Sequence, residues 1–193
     1  LSHIDAEFLP SRQRCIEIIE LMRRLTFPGF FDDTRLTKSN VRVHVHKLLA
    51  DVTELLNEQV HQAMCYDEAR QTQNPGQDPT QDPSHRSSQD PTQGHQHPPN
   101  SEAQRRERAA RITREVLDQV PRLRALIATD VQAAFDGDPA SDCTDETIFC
   151  YPGIDAIFTH RVAHELWIRN VPLIARIMSE YAHNETGIDI HPG

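Results

Sequence analysis

Apolar residues recur at helical intervals along most of this chain, and one short stretch at its end alternates like a strand. From Ser11 to Leu25, the side chains of Ile18, Leu21, Met22 and Leu25 share one helical face. Phe27-Pro28-Gly29-Phe30-Phe31 then ends that helix with breaker residues and aromatics. A second helix is expected to begin near Thr37 or Ser39, either of which suits an N-cap. Val41, Val45, Leu48, Val52 and Leu55 follow at alternating spacings of four and three, and Leu49, Leu56, Val60 and Met64 widen the stripe. That pattern predicts a helix of about 25 residues with one apolar face.

The character changes between Gln71 and Pro99. Gln77-Asp78-Pro79 recurs as Gln81-Asp82-Pro83 and Gln89-Asp90-Pro91, with almost nothing apolar between. Such a stretch cannot offset its ordering entropy and reads as a disordered insertion over 71–100. Ser101-Glu102-Ala103-Gln104 fits a capping box that restarts the helical pattern. Ile112, Val116, Leu117 and Val120 lie on one face, and Pro121 suits a break followed by the first turn of the next helix. Leu123, Leu126, Ile127 and Val131 carry that helix to Phe135, with Gly137 as a left-handed stop. Another helix runs from about Thr144, is interrupted at Pro152-Gly153 and continues through Leu166. A last one starts at Pro172 and gives out at Asn184 and Gly187. Residues 188–193, Ile-Asp-Ile-His-Pro-Gly, have the strand-like period. The resulting division is 1–70 N-terminal helices, 71–100 insertion, 101–187 helical domain and 188–193 a separate tail, with an all-α bundle as the fold class.

Composition narrows the functions. Hydrophobic residues make up 37% and aromatics 6% of 193 residues, lean but clustered enough to bury a core once 71–100 is set aside. The net charge of −9 argues against nucleic acid and anionic membrane, since affinity for either comes mainly from Lys and Arg. No apolar run approaches the roughly 18 residues of a membrane span. Leu1 to Pro10 has no signal-peptide pattern, and the start at Leu1 suggests a trimmed chain. The expected location is cytoplasmic. Cys15, Cys65, Cys143 and Cys150 form no CxxC pair and read as buried thiols rather than disulfides or metal ligands.

Candidate chemistry is sparse at first sight. His160 and His164 lie four apart on one helical face, the spacing of a metal pair. No glutamate follows His160, no third ligand is evident, and Arg161 sits between them, so hydrogen-bonded structural histidines are the better reading. His85, His95 and His97 fall in the insertion and read as solvated rather than as a metal tract. Trp167 and the aromatics Phe27, Phe30 and Phe31 are expected at packing interfaces. No metal-binding residue is assigned.

Three stretches resemble serine acetyltransferases. They are Asp138-Pro139-Ala140; Tyr151-Pro152-Gly153-Ile154 with His160-Arg161-Val162-Ala163-His164; and Thr186-Gly187-Ile188-Asp189-Ile190-His191-Pro192-Gly193. Their order and spacing match the family, and the Phe27–Phe31 segment looks like the variant with a long N-terminal helical region. The resemblance implies a helical bundle followed, after residue 187, by a left-handed parallel β-helix of hexapeptide repeats. The activity it implies is acetyl transfer from acetyl-CoA, a co-substrate rather than a tightly bound cofactor, to L-serine, giving O-acetylserine for cysteine synthesis. It implies a homo-oligomer, commonly a dimer of trimers, and docking of O-acetylserine sulfhydrylase through a C-terminal tail. By motif match, Asp138 is the substrate-binding carboxylate facing the serine ammonium. Asp189 is the catalytic carboxylate that orients a histidine carried on the following β-helix turns. His191, two residues from Asp189, is expected to be structural rather than the base. The fragment alone is expected to be inactive. The alternative is an oligomerisation module without catalysis, with the Val41–Leu56 stripe and the helix from Pro172 as subunit contacts.

Overall fold

In the computed structural model, residues 9–73 and 101–193 are described. They form α1 (Arg12–Thr26), α2 (Val41–Gln73), α3 (Glu102–Leu117), α4 (Val120–Gly137), α5 (Thr144–Cys150), α6 (Pro152–Trp167) and α7 (Pro172–Thr186). No strand occurs among the described residues, and the all-α bundle expected from the periodicity is what they fold into. Residues 74–100, with His85, His95 and His97 and the expected disordered insertion, lie outside the described residues. No helix among the described residues is long and apolar enough to cross a membrane.

The layers follow from the apolar faces. α2 packs between α1 and α3, while α6 and α7 pair closely and close over α1. Ile18 and Met22 of α1, Val52, Leu56 and Val60 of α2, Val116 of α3 and Ile127 of α4 are buried in one cluster with Phe158 and Leu166 of α6 and Ile174 and Met178 of α7. Each such side chain contributes about 1.5–3 kcal/mol relative to exposure. Leu48, Val52, Leu55 and Leu56 face this core, as do Ile174 and Met178 of α7. Of the stripe read as a subunit contact, Leu48, Val52, Leu55 and Leu56 are buried within the chain, while Val41, Val45 and Leu49 remain partly exposed.

Local chemistry sets the ends of the helices. Ser11 caps α1, its Oγ accepting from the Arg14 N–H at 3.4 Å, and its own N–H donates to the buried Gln59 of α2 at 2.7 Å. Ser101 and Gln104 form the reciprocal capping box of α3. Pro121, Pro152 and Pro172 each occupy the first turn of a helix. Gly187 ends α7 in the left-handed conformation at φ 71°, and Asn170 makes the α6–α7 turn at φ 59°.

Several expectations are corrected. α2 starts at Val41 and runs 33 residues, past Gln71, so the polar residues 71–73 continue the helix. The Thr37 and Ser39 hydroxyls bond to each other at 2.9 Å, and it is Asn40 that closes the turn, its Oδ1 accepting from the Thr37 N–H. Gly137 remains in α4 without a positive φ. The helix stops because Asp138 precedes Pro139, whose ring drives the preceding residue to extended backbone, here φ −118° and ψ 101°. Cys15 and Cys65 are buried, but Cys143 and Cys150 are exposed at the two ends of α5. The alternating 188–193 tail forms no strand, since no extended neighbour pairs with it among the described residues.

The Phe27–Phe31 corner belongs to the core of this chain. Phe27 meets Phe31 at 6.0 Å and Phe158 at 6.2 Å, and the exposed Phe149 covers Phe30 at 5.3 Å. Asp32 latches the corner: its carboxylate accepts from Arg24 at 2.8 Å, from the Gly29 N–H at 3.0 Å and contacts His44 at 2.8 Å. Burial alone would raise this carboxyl, but those three bonds outweigh it and hold the pKa below its ordinary value.

Candidate functional site

Two carboxylates and a histidine pair are brought to defined places by α4–α7. Asp138 stands where α4 ends. Its Oδ1 accepts from the Ala140 N–H at 2.9 Å, a local turn that Asp favours. Its Oδ2 accepts from the Tyr151 hydroxyl at 2.6 Å, across the short α5. The tyrosine bond, then the backbone bond, hold the Asp138 carboxyl below its ordinary value, and the same bond raises the Tyr151 phenol. Asp138 is half-buried, so an ionised carboxylate with fixed orientation still faces solvent. Such a group suits a substrate ammonium. Tyr151, the first residue of the Tyr-Pro-Gly motif, is the positioning partner that sequence reading missed. Its motif was visible, but the contact spans 13 residues and depends on how α5 turns back.

The second carboxylate lies on the tail. Gly187 turns the chain back, and the Ile188 N–H donates to the Thr186 hydroxyl at 3.1 Å. The tail then lies against α6. His164 Nδ1 bonds the Pro192 carbonyl at 2.8 Å, and a carbonyl can only accept, so Nδ1 carries the proton. The His191 ring meets the Trp167 indole edge-on at 5.0 Å. A Cβ added at Gly193 would overlap that same indole, so this glycine is needed for the close approach. Asp189 is exposed between these anchors. His191 is committed to Trp167 and to the Gly193 N–H, which donates to its Nδ1 at 3.2 Å.

His160 and His164 are adjacent on α6, with ring centroids 5.9 Å apart. Burial, then the neighbouring His164 and Arg161, lower the His160 pKa below its ordinary 6.5, against an opposing bond with the His191 backbone. Arg161 is turned away into a two-bond pair with Asp130, both at 2.8 Å. His164 thus fastens the tail to the bundle, and His160 beside it bonds the His191 backbone, although its buried Nδ1 has no hydrogen-bond partner among the described residues. Trp167 lies at the same junction, half-buried.

A different trio does converge. His61 and Cys65 of α2 and Glu102 of α3 bring a nitrogen, a sulfur and an oxygen within 4.8 Å of one another. No spacing rule for cysteines would have found it, because Glu102 is 37 residues beyond Cys65 in the sequence.

No family model matches the chain. It is 35% identical to a plasmid-borne serine acetyltransferase of Synechococcus elongatus over 185 residues, which is 96% of this chain and 50% of that protein. It is 50% identical over 64 residues to the serine acetyltransferase of Mycobacterium tuberculosis, covering 33% of this chain and 28% of that one. Among solved structures it superposes on serine acetyltransferase isoform 3 of Entamoeba histolytica, determined in complex with cysteine, with a TM-score of 0.60 and 25% identity. That match covers 91% of this chain and 48% of the other. The chain spans about half the length of the Synechococcus relative and of the Entamoeba structure. Over nearly its whole length, it is a homologue of the serine acetyltransferases.

Proposed function

We propose that this serine acetyltransferase homologue is the helical, serine-side portion of a cytoplasmic serine O-acetyltransferase acting in cysteine biosynthesis. The observation that carries this reading is the pre-oriented Asp138 carboxylate, held by Tyr151 inside motifs that resemble the family's.

The reaction joins the serine hydroxyl oxygen to the acetyl carbon of acetyl-CoA and breaks the carbon–sulfur bond. An alcohol needs a general base within hydrogen-bond reach as it attacks. Asp138 would hold the ammonium of serine and thereby place the hydroxyl. Asp189 would orient a histidine carried on following β-helix turns, which takes the hydroxyl proton and returns one to the leaving thiolate. Acetyl-CoA enters as co-substrate and leaves as CoA. The natural assembly on this reading is a homo-oligomer, a dimer of trimers, with O-acetylserine sulfhydrylase as a partner through a C-terminal tail.

A bare oligomerisation module is less supported, because Leu48 to Leu56 and the apolar face of α7 already line this chain's own core. The test is acetyl transfer from acetyl-CoA to L-serine by the longer protein that carries this chain. Turnover is expected there and not from these 193 residues alone. A longer protein that acetylates no serine would sink the proposal.

A further inference from the structure

We propose that His61, Cys65 and Glu102 form a zinc site that staples α2 to α3. The two helices flank residues 74–100, and the site is separate from Asp138 and the tail.

His61 and Cys65 stand four apart, so both project from one face of α2. The capping box at Ser101 starts α3 there and places Glu102 in its first turn, opposite them. Cys65 is buried, and the His61 side chain is only 11% exposed. His61 Nε2 lies 3.7 Å from Cys65 Sγ and 3.2 Å from Glu102 Oε1. Tetrahedral zinc has bonds of about 2.3 Å to sulfur and about 2.1 Å to nitrogen or oxygen, which give edges of about 3.6 Å and about 3.4 Å. These two separations match those edges, and the third, between Cys65 and Glu102, is within 4.8 Å. A small closure of that third edge would let one ion bridge the three atoms with its fourth position left for water.

The donor set selects the metal. Imidazole, thiolate and carboxylate all suit zinc, whereas calcium and magnesium prefer oxygen alone. Charge closes as well. On binding, the Cys65 thiol releases its proton to solvent as the sulfur–zinc bond forms, and neutral His61 donates its nitrogen lone pair. Two positive charges then meet one thiolate and one carboxylate. The neighbouring Arg105 contacts the thiol, pairs with Glu68 at 3.0 Å, which balances its charge, and also holds Glu102 Oε2 at 3.1 Å, leaving Oε1 for the ion. Arg106, 2.7 Å from Glu102 Oε1, would have to move aside, but its side chain is 71% exposed and such a pair contributes little.

The full chain should be titrated with zinc and, as a spectroscopic stand-in, with cobalt. The expected result is one zinc per chain, a rise in Tm with zinc concentration, and a tetrahedral cobalt spectrum with a thiolate charge-transfer band. Cys65→Ser should abolish that band and weaken zinc by more than the roughly 10–100-fold typical of losing a mere outer-sphere partner. The double variant Cys143→Ser/Cys150→Ser and the triple variant His85→Gln/His95→Gln/His97→Gln should both bind as the parent does. If Cys65→Ser does not fold, Glu102→Gln, whose side chain is 43% exposed, carries the same test. An octahedral cobalt spectrum would overturn the proposal. So would zinc binding that survives Cys65→Ser or Glu102→Gln, or that disappears with the insertion histidines.

Discussion

The α4–α5 corner and the 188–193 tail present the same functional group in opposite settings. Asp138 is gripped on both carboxylate oxygens, by Ala140 and by Tyr151. Asp189 is exposed, with no hydrogen bond to its carboxylate among the described residues, and only its neighbours are anchored, through His164 and Trp167. The difference teaches a division of labour. A carboxylate that binds a substrate charge can be finished within one bundle. In the role proposed for Asp189, the carboxylate is finished only when an imidazole meets it, and the described residues fix the tail's place on the bundle but not that pair.

The sharpest way to break this comparison is at Asp189. On the proposed function, Asp189→Asn in a longer protein carrying this chain should lower kcat by up to about 10⁴-fold, the loss seen when a histidine-orienting aspartate is amidated in hydrolase triads. Serine affinity should barely change. Asp138→Asn should act the other way, costing about 10–100-fold in kcat/KM for serine through loss of a charged hydrogen-bonding partner. A smaller effect, about five-fold from roughly 1 kcal/mol, is expected for Tyr151→Phe. With the tyrosine bond gone, the Asp138 carboxyl rises toward its ordinary value, so the acid limb of the serine kcat/KM profile should move to higher pH.

The smallest effect concerns the tail's fastening. His160 has a lowered pKa, so in the window between its folded value and the ordinary 6.5 the unfolded chain binds more protons. Stability should therefore rise with pH through that window and fall as acid protonates the ring. Urea unfolding at several pH values checks this, and His160→Gln should flatten the slope.

The sequence made the helices legible because their apolar spacing is the cause of their burial: Leu48, Val52, Leu55 and Leu56 sit where the stripe put them. Ser11, Ser101, Pro121, Pro152 and Pro172 also acted as local chemistry demands. What was illegible depended on competition or distance. Gly137 was read as a stop, but the proline after Asp138 decides the backbone there. The polar residues 71–73 continue a helix whose apolar face has already been buried upstream. Asp138 was marked by motif alone, and its grip by Tyr151 needed the fold. The His61–Cys65–Glu102 trio needed it more, since its members meet only through α2–α3 packing. Asp189 was named from resemblance, and its exposed setting gives it no chemistry that the bundle completes.

The central claim is that this chain supplies serine binding through Asp138, whereas Asp189 serves the chemical step. Steady-state acetyl transfer by the longer protein, with serine varied at saturating acetyl-CoA, tests it directly in Asp138→Asn and Asp189→Asn side by side. The account predicts that Asp138→Asn raises KM for serine and leaves KM for acetyl-CoA unchanged, while Asp189→Asn lowers kcat with KM for serine intact. An Asp138→Asn enzyme with the parent's KM for serine would contradict it.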